Sequence, residues 1–106
     1  MTTPILITTT FENEQDAERL ARMLLAQRLV ACARISAVGK SLYWWQGQIS
    51  EAQEYELGLK STLKLYPEIE ALIRAEHPYQ TPEIVATAFI AGSDAYLAWL
   101  EEELRQ

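Results

Sequence analysis

Leu42-Tyr43-Trp44-Trp45-Gln46-Gly47-Gln48-Ile49 is the stretch of sequence that decides the fold. Its glycine supplies the positive φ that tight turns demand, so Gln46-Gly47 predicts the tip of a β-hairpin. The returning strand alternates in character, with Tyr55, Leu57 and Leu59 on one face and polar residues on the other. The pattern predicts a long central hairpin with an unusually aromatic tip.

A strand and a helix are predicted before the hairpin. Ile5 to Thr10 is rich in β-branched residues, which is typical of a buried strand. Asn13 is expected to cap a helix that ends near Arg28, because apolar residues then recur at helical spacing. The first arm of the hairpin is predicted to run from Leu29 to Trp45, with a bulge or bend at Gly39.

A second helix, a further strand and a last helix are predicted after the hairpin. Pro67 suits a first helical turn, and His77-Pro78 ends that helix. Ile84 to Ile90 reads as a strand, and Ser93 or Asp94 caps a helix with an apolar stripe (Tyr96, Leu97, Leu100 and Leu104). The order β-α-β-β-α-β plus a C-terminal helix predicts a single α+β domain, residues 1–106, with a ferredoxin-like sandwich fold.

Composition excludes several classes of protein. The chain has 106 residues and a formal net charge of −6, whereas a nucleic-acid-binding domain is expected to carry a basic surface. Its one cysteine, Cys32, allows no intrachain disulfide, and we expect no signal peptide or membrane span, hence a cytoplasmic protein. The sequence has no Gly-rich phosphate loop, His-Glu-x-x-His or Gly-x-Ser-x-Gly motif, so we expect no enzyme.

The aromatic hairpin predicts self-association. Tyr43, Trp44 and Trp45 exposed on a protruding hairpin would be a large apolar liability in a monomer. Aromatic side chains anchor protein interfaces, so we expect the hairpin to pack on another copy of the chain.

Four motifs together resemble a known family. They are Leu29-Val30-Ala31-Cys32, the Tyr43-x-Trp45-x-Gly47-x-Ile49 hairpin, Lys60, and His77-Pro78-Tyr79-x-x-Pro82-Glu83-Ile84. Their order and spacing are similar to those of the CutA-type divalent-cation tolerance proteins. The resemblance implies the ferredoxin-like fold, a homotrimer whose hairpins wrap around neighbouring subunits, and a role in divalent-cation (copper) tolerance. On this basis we expect trimer contacts at Tyr43, Trp45 and Trp99.

A copper or other divalent-cation site is the first candidate for chemistry, although no cofactor is required. Cys32 and His77 could form a soft ligand pair for copper. Position 78 is proline rather than the second histidine of some relatives, so we expect weak binding that involves several subunits. The alternatives are structural, with Cys32 as a small buried hydrophobe and His77 as a cation at a helix C-terminus.

A ligand cleft between subunits is the second candidate. Its residues would be Lys60, Tyr79 and Glu83, with the lysine as the cation for a small anionic or zwitterionic ligand. The alternative is a structural salt bridge between Lys60 and Glu83 that fixes the register of the hairpin between subunits. The rival functions are therefore a small-molecule-sensing trimer, similar to signal-transduction trimers, and a structural scaffold without a ligand.

Overall fold

The computed structural model describes residues 2–106, which fold into one antiparallel sheet with three helices. A short 3₁₀ turn, Leu63–Leu65, leads from the fourth strand into the second helix. The elements are β1 (Pro4–Phe11), α1 (Glu14–Ala26), β2 (Cys32–Ile35), β3 (Gly39–Trp45), β4 (Gln48–Thr62), α2 (Tyr66–Glu76), β5 (Val85–Ala88) and α3 (Asp94–Glu103). This order confirms the predicted ferredoxin-like arrangement with an additional C-terminal helix.

The sheet has the strand order β2-β4-β1-β5, and β3 pairs with the outer half of β4. That outer pairing runs from Gly39 opposite Glu54 to Trp45 opposite Gln48 and forms the protruding hairpin. At its tip Gln46 and Gly47 have φ values of 51° and 81°. Two positive φ angles match the right-handed twist of the flanking strands, so the predicted hairpin tip is confirmed.

Three predicted boundaries differ from the structure. The arm expected from Leu29 to Trp45 is two strands, because β2 pairs with the inner part of β4 and β3 with its outer part. At the break the backbone N–H of Ser36 donates to Glu56 at 2.9 Å, while the Ser36 Oγ accepts from the Glu56 N–H at 2.8 Å. The first helix ends at Ala26, and β5 is shorter than predicted since only four of its residues pair with β1.

The core lies between one face of the sheet and helices α1 and α2. Asn13 caps α1 as predicted, its side chain accepting from the Gln15 N–H at 2.8 Å. Alternate residues of β1 and β4 face the helices, and each fully buried aliphatic side chain contributes roughly 1.5–3 kcal/mol to stability. The fully buried core residues of these elements are Ile7, Phe11, Leu20, Leu24, Leu57, Leu59, Ile69 and Ile73.

The hairpin, β5 and much of α3 leave large apolar side chains uncovered. Trp44 is 72% exposed, Trp45 is 45% exposed, and all four residues of β5 are exposed on a sheet edge. Such a surface marks an interaction site in a native protein. Within residues 2–106 we find no helix with the length and apolar character needed to cross a membrane.

Candidate functional site

The side chain of His77 sits at the junction of α2, β1 and the loop after α2. It is only 8% exposed and stacks on Phe11, with ring centroids 4.2 Å apart. Its Nε2 is 2.8 Å from the Thr10 carbonyl oxygen, and its Nδ1 accepts a hydrogen bond from the Tyr79 N–H at 3.1 Å. Both ring nitrogens therefore have backbone partners.

His77 also ends α2, as predicted, but through its backbone. The backbone N–H donates to the Ile73 carbonyl at 2.8 Å, and the residue is extended, with φ −77° and ψ 135°. Burial lowers the pKa of the imidazole, although the hydrogen bond to Thr10 and the charges of Asp16 and Glu54 partly oppose this. The expectation that His77 acts as a cation at the helix terminus is therefore corrected, because burial favours the neutral ring.

Tyr79 connects this junction to the base of the hairpin. Its hydroxyl donates to the Glu54 Oε2 at 2.7 Å, and the Thr10 hydroxyl donates to the same oxygen at 3.2 Å. The Tyr79 ring packs edge-on to His77, with centroids 4.7 Å apart. Burial raises the pKa of Tyr79, and the neighbouring Glu54 raises it further, so the phenol remains a donor.

An open cleft of about 680 Å³ lies between the hairpin and the loop after α2, and we call it the hairpin cleft. Four aromatic side chains contribute to its wall: Tyr43, Trp44, Trp45 and Tyr79. Its charged lining residues, within the part of the chain that the structure describes, are all acidic: Glu12, Glu54 and Glu83. This lining can attract a cation and gives an anion no counter-charge.

Two carboxylates that line the hairpin cleft, the half-buried Glu54 and the exposed Glu83, differ in the direction of their pKa shifts. Burial raises the pKa of Glu54, but hydrogen bonding from Tyr79, Ser41 and Thr10 outweighs it, so the net shift is downward. Burial raises the pKa of Glu83, and the charges of Glu56 and Glu54 raise it further. The cleft therefore holds a fixed negative charge at Glu54 and a second carboxylate, Glu83, that a bound cation would stabilise.

Within one subunit Lys60 lies outside the hairpin cleft, so its predicted grouping with Tyr79 and Glu83 in a cleft between subunits stays a prediction. It is in the inner part of β4, where its Nζ donates to the Tyr96 hydroxyl at 2.9 Å and lies 5.0 Å from the centre of that ring. The structure brings Tyr79 and Glu83 together in the cleft, but Lys60 forms no ion pair with Glu83 within one described chain. The alternative, a salt bridge between subunits, also stays a prediction.

Cys32 and His77 are separated within the subunit. Cys32 pairs opposite Lys60 on β4, whereas Thr10, the partner of His77, pairs opposite Glu56. Four residues along a strand span about 13 Å. Cys32 is a half-buried free thiol, so it is less enclosed than the buried hydrophobe weighed as its alternative role.

One subunit therefore does not bring Cys32 and His77 together as a pair of copper ligands. Neither nitrogen of His77 keeps a lone pair for a metal while it bonds Thr10 and Tyr79. Nor do residues 2–106 contain a group of three His, Cys, Asp or Glu side chains placed to hold a metal ion. A site that combines such residues from several subunits stays a prediction.

The three residues predicted at the trimer interface are all accessible in the subunit. Tyr43 and Trp45 lie on the hairpin, and Trp99 lies on α3 with its ring 5.4 Å from that of Tyr96. Sequence reasoning missed Thr10 and Glu54, which complete the link to Tyr79. The alternation of β4 placed Glu54 on a polar face and so indicated that its side chain was available for a contact. Its partner, Tyr79, could not be predicted because the contact depends on how the loop after α2 packs.

Comparison with known proteins gives a consistent result over nearly the whole chain. The profile of the CutA1 divalent ion tolerance protein family matches residues 5–103. The divalent-cation tolerance protein CutA of Thermus thermophilus is 40% identical over 93 residues, which cover 88% of this chain and 90% of that protein.

Solved structures agree with this sequence match. CutA1 from Oryza sativa superposes with a TM-score of 0.95 at 30% identity, covering 99% of this chain and 96% of that one. The periplasmic divalent cation tolerance protein CutA from Archaeoglobus fulgidus gives a TM-score of 0.92 at 32% identity, covering 96% and 99%. The fold, the motifs and these matches show that the chain belongs to the CutA1 divalent ion tolerance protein family.

Proposed function

We propose that this protein acts as a homotrimer in divalent-cation tolerance, binding a divalent cation such as copper weakly in the hairpin cleft and catalysing no reaction. Membership of the divalent ion tolerance family supports the general role. The exposed hairpin aromatics support self-association, because closed pairing of subunits would cover them.

One observation supports the hairpin cleft as the site of cation binding. Its acidic lining, Glu12, Glu54 and Glu83, shares a wall with Tyr43 and Trp45, which are the predicted trimer contacts. A cation attracted to these carboxylates would therefore sit at a subunit boundary. A neighbouring subunit would have to supply further ligands there, because residues 2–106 hold no group of three such side chains placed for a metal ion. The Oε2 of Glu54 already accepts two hydrogen bonds, so Glu83 is the carboxylate with more freedom to approach the cation.

The proposed binding is weak because few strong ligands are present. Carboxylate and water ligands suit magnesium, calcium and manganese better than copper, which favours imidazole and sulfur ligands. Copper(II) should still bind more tightly than zinc, following the general order of divalent affinities.

We further propose a cytoplasmic location, which the free thiol of Cys32 suits. Since the relative from Archaeoglobus fulgidus is named periplasmic, cell fractionation must decide between the two compartments.

Copper titration by calorimetry tests the cleft. Glu83→Gln removes a charge while keeping the shape of the side chain, and we expect it to weaken copper binding about tenfold, equivalent to about 1.4 kcal/mol. Glu102→Gln is the matched control, because this exposed glutamate lies on α3 away from the cleft lining. Unchanged copper affinity in Glu83→Gln would contradict the proposed site.

A second pair of substitutions separates this cleft from the ligands predicted from the sequence. We expect the Cys32→Ala, His77→Ala double variant to retain copper binding if the folded trimer persists. If the double variant loses binding while Glu83→Gln keeps it, Cys32 and His77 are the ligands after all. A circular dichroism spectrum of each variant shows whether the fold is retained.

The cleft volume favours one further candidate function, the binding of a small molecule. About 680 Å³ lies within the range of ligand pockets, and the aromatic wall suits an organic ligand. The acidic lining within one subunit favours a cationic compound, whereas the anionic or zwitterionic ligand predicted from the sequence requires Lys60 to approach from a neighbouring subunit. A thermal-shift screen of metabolites tests this, and a protein that responds to neither metals nor metabolites would fit the scaffold hypothesis.

A further inference from the structure

The hydrogen bonds of His77 define one tautomer of the ring. The Thr10 carbonyl can only accept and the Tyr79 N–H can only donate, so Nε2 must carry the proton and Nδ1 must offer a lone pair. Stacking on Phe11 and the edge contact with Tyr79 fix the ring plane. The neutral Nε2–H imidazole is therefore the form that this junction requires.

A second proton on the ring would affect one of these two bonds selectively. The bond from Nε2–H to Thr10 remains possible, since an imidazolium still donates there. At Nδ1 a new N–H would face the Tyr79 N–H, which lies 3.1 Å away in the neutral state. Two donors cannot share a hydrogen bond, so Tyr79 must move away from the ring.

Movement of Tyr79 would reach the hairpin cleft directly. The same residue contributes its hydroxyl to Glu54 at 2.7 Å and part of the cleft wall. We propose that His77 is a proton-operated latch on the hairpin cleft: the neutral ring holds Tyr79 against Glu54, and the protonated ring releases it. This inference goes beyond divalent-cation tolerance and does not depend on which ligand the cleft binds.

The charged groups around His77 help to set the pH at which the latch opens. Asp16 on α1 and Glu54 on β4 favour the imidazolium, while burial opposes it more strongly. Arg19 of α1 is bound at 3.0 Å to Glu76, the residue before His77, so that cation is already paired. Glu12, after β1, faces Tyr79. Burial lowers the pKa of His77 from its ordinary value of 6.5, so release is expected below that pH.

NMR of the ¹⁵N-labelled full chain tests the latch, because His77 is the only histidine and its ring signals are unambiguous. At pH 8 we expect the Nε2–H tautomer. As the pH falls, the ring should protonate with a midpoint below 6.5, and the Tyr79 amide and Glu54 carboxyl signals should shift with the same midpoint. A ring that protonates without a shift of the Tyr79 amide would overturn the proposal, as would a ring that stays neutral until the protein unfolds.

Two variants provide independent checks. His77→Asn places a non-titrating carbonyl oxygen near the position of Nδ1, so the Tyr79 amide should lose its pH response. Tyr79→Phe keeps the backbone bond to His77 and removes the hydroxyl, so the amide should titrate as in the wild type, while the Glu54 carboxyl should keep only the smaller shift that the imidazolium charge itself causes. If His77→Asn fails to fold, the Tyr79→Phe result decides, and a Glu54 signal that shifts as far as in the wild type at the His77 midpoint would overturn the latch.

Discussion

The Tyr79 hydroxyl donates a 2.7 Å hydrogen bond to the Glu54 carboxylate and thereby joins the loop after α2 to the base of the hairpin. The two residues are 25 positions apart in the chain. A donor on a charged acceptor forms one of the stronger kinds of hydrogen bond in proteins. This contact fixes one wall of the hairpin cleft and keeps the Glu54 charge in place.

Removal of this hydroxyl should have a modest and specific effect. We expect Tyr79→Phe to lower the free energy of unfolding by about 1 kcal/mol, since hydrogen bonds to charged groups contribute about 1.5–3 kcal/mol and this one is partly exposed. The pKa of Glu54 should rise, because one of its donors is lost while burial remains. Urea unfolding and NMR titration of the carboxyl measure the two effects. Wild-type values for both would mean that the contact is not formed in solution.

The element order was predictable because periodicity and turn residues act locally. Asn13 as a helix cap, Gln46-Gly47 as a hairpin tip and Ser93 as the last cap were all correct, with Ser93 Oγ accepting from the Tyr96 N–H at 3.3 Å. The break after Ile35 was not predictable in this way. The break depends on β2 pairing with the inner part of β4 and β3 with its outer part. These are contacts between residues far apart in the sequence, which local patterns do not reveal.

The site was predictable only in part, for the same reason. Tyr79 and Glu83 do share a cleft, because both lie in one short connector. Lys60 was grouped with them in a cleft between subunits. Within one subunit its register opposite Cys32 places it beside Tyr96, and the grouping across subunits stays a prediction. His77 ends α2 as predicted, but through its backbone, and the burial of its ring against Phe11 with two backbone bonds was not predicted.

The stability of the protein should fall as the pH drops below the ordinary histidine pKa. The pKa of His77 is lowered in the folded state from 6.5, so below this pH the unfolded chain binds a proton that the folded chain does not. The stabilising contribution is therefore present above pH 6.5 and is lost progressively as the pH falls toward the lowered value. Denaturant unfolding from pH 8 to 5 should show this decline, and His77→Asn should remove it. A rise in stability over this range would contradict the assigned direction.

Trp45 should contribute more to assembly than to the fold of the subunit. It is 45% exposed on the hairpin, so its truncation leaves the core unchanged. Trp45→Ala should weaken association by about 2 kcal/mol or more, as for other aromatic interface anchors. Sedimentation at several protein concentrations measures the association, and far-ultraviolet circular dichroism checks the fold. If the variant associates as strongly as the wild type, Trp45 is not an anchor of the interface.

The mass of the protein in solution tests the central claim most directly, because we propose that the hairpin cleft lies at a boundary between subunits. Light scattering at micromolar concentration should give about three times the chain mass of 12.1 kDa. If the subunits interleave, the midpoint of reversible unfolding should also rise with protein concentration. A mass of 12.1 kDa at micromolar concentration, with a midpoint independent of concentration, would contradict the account.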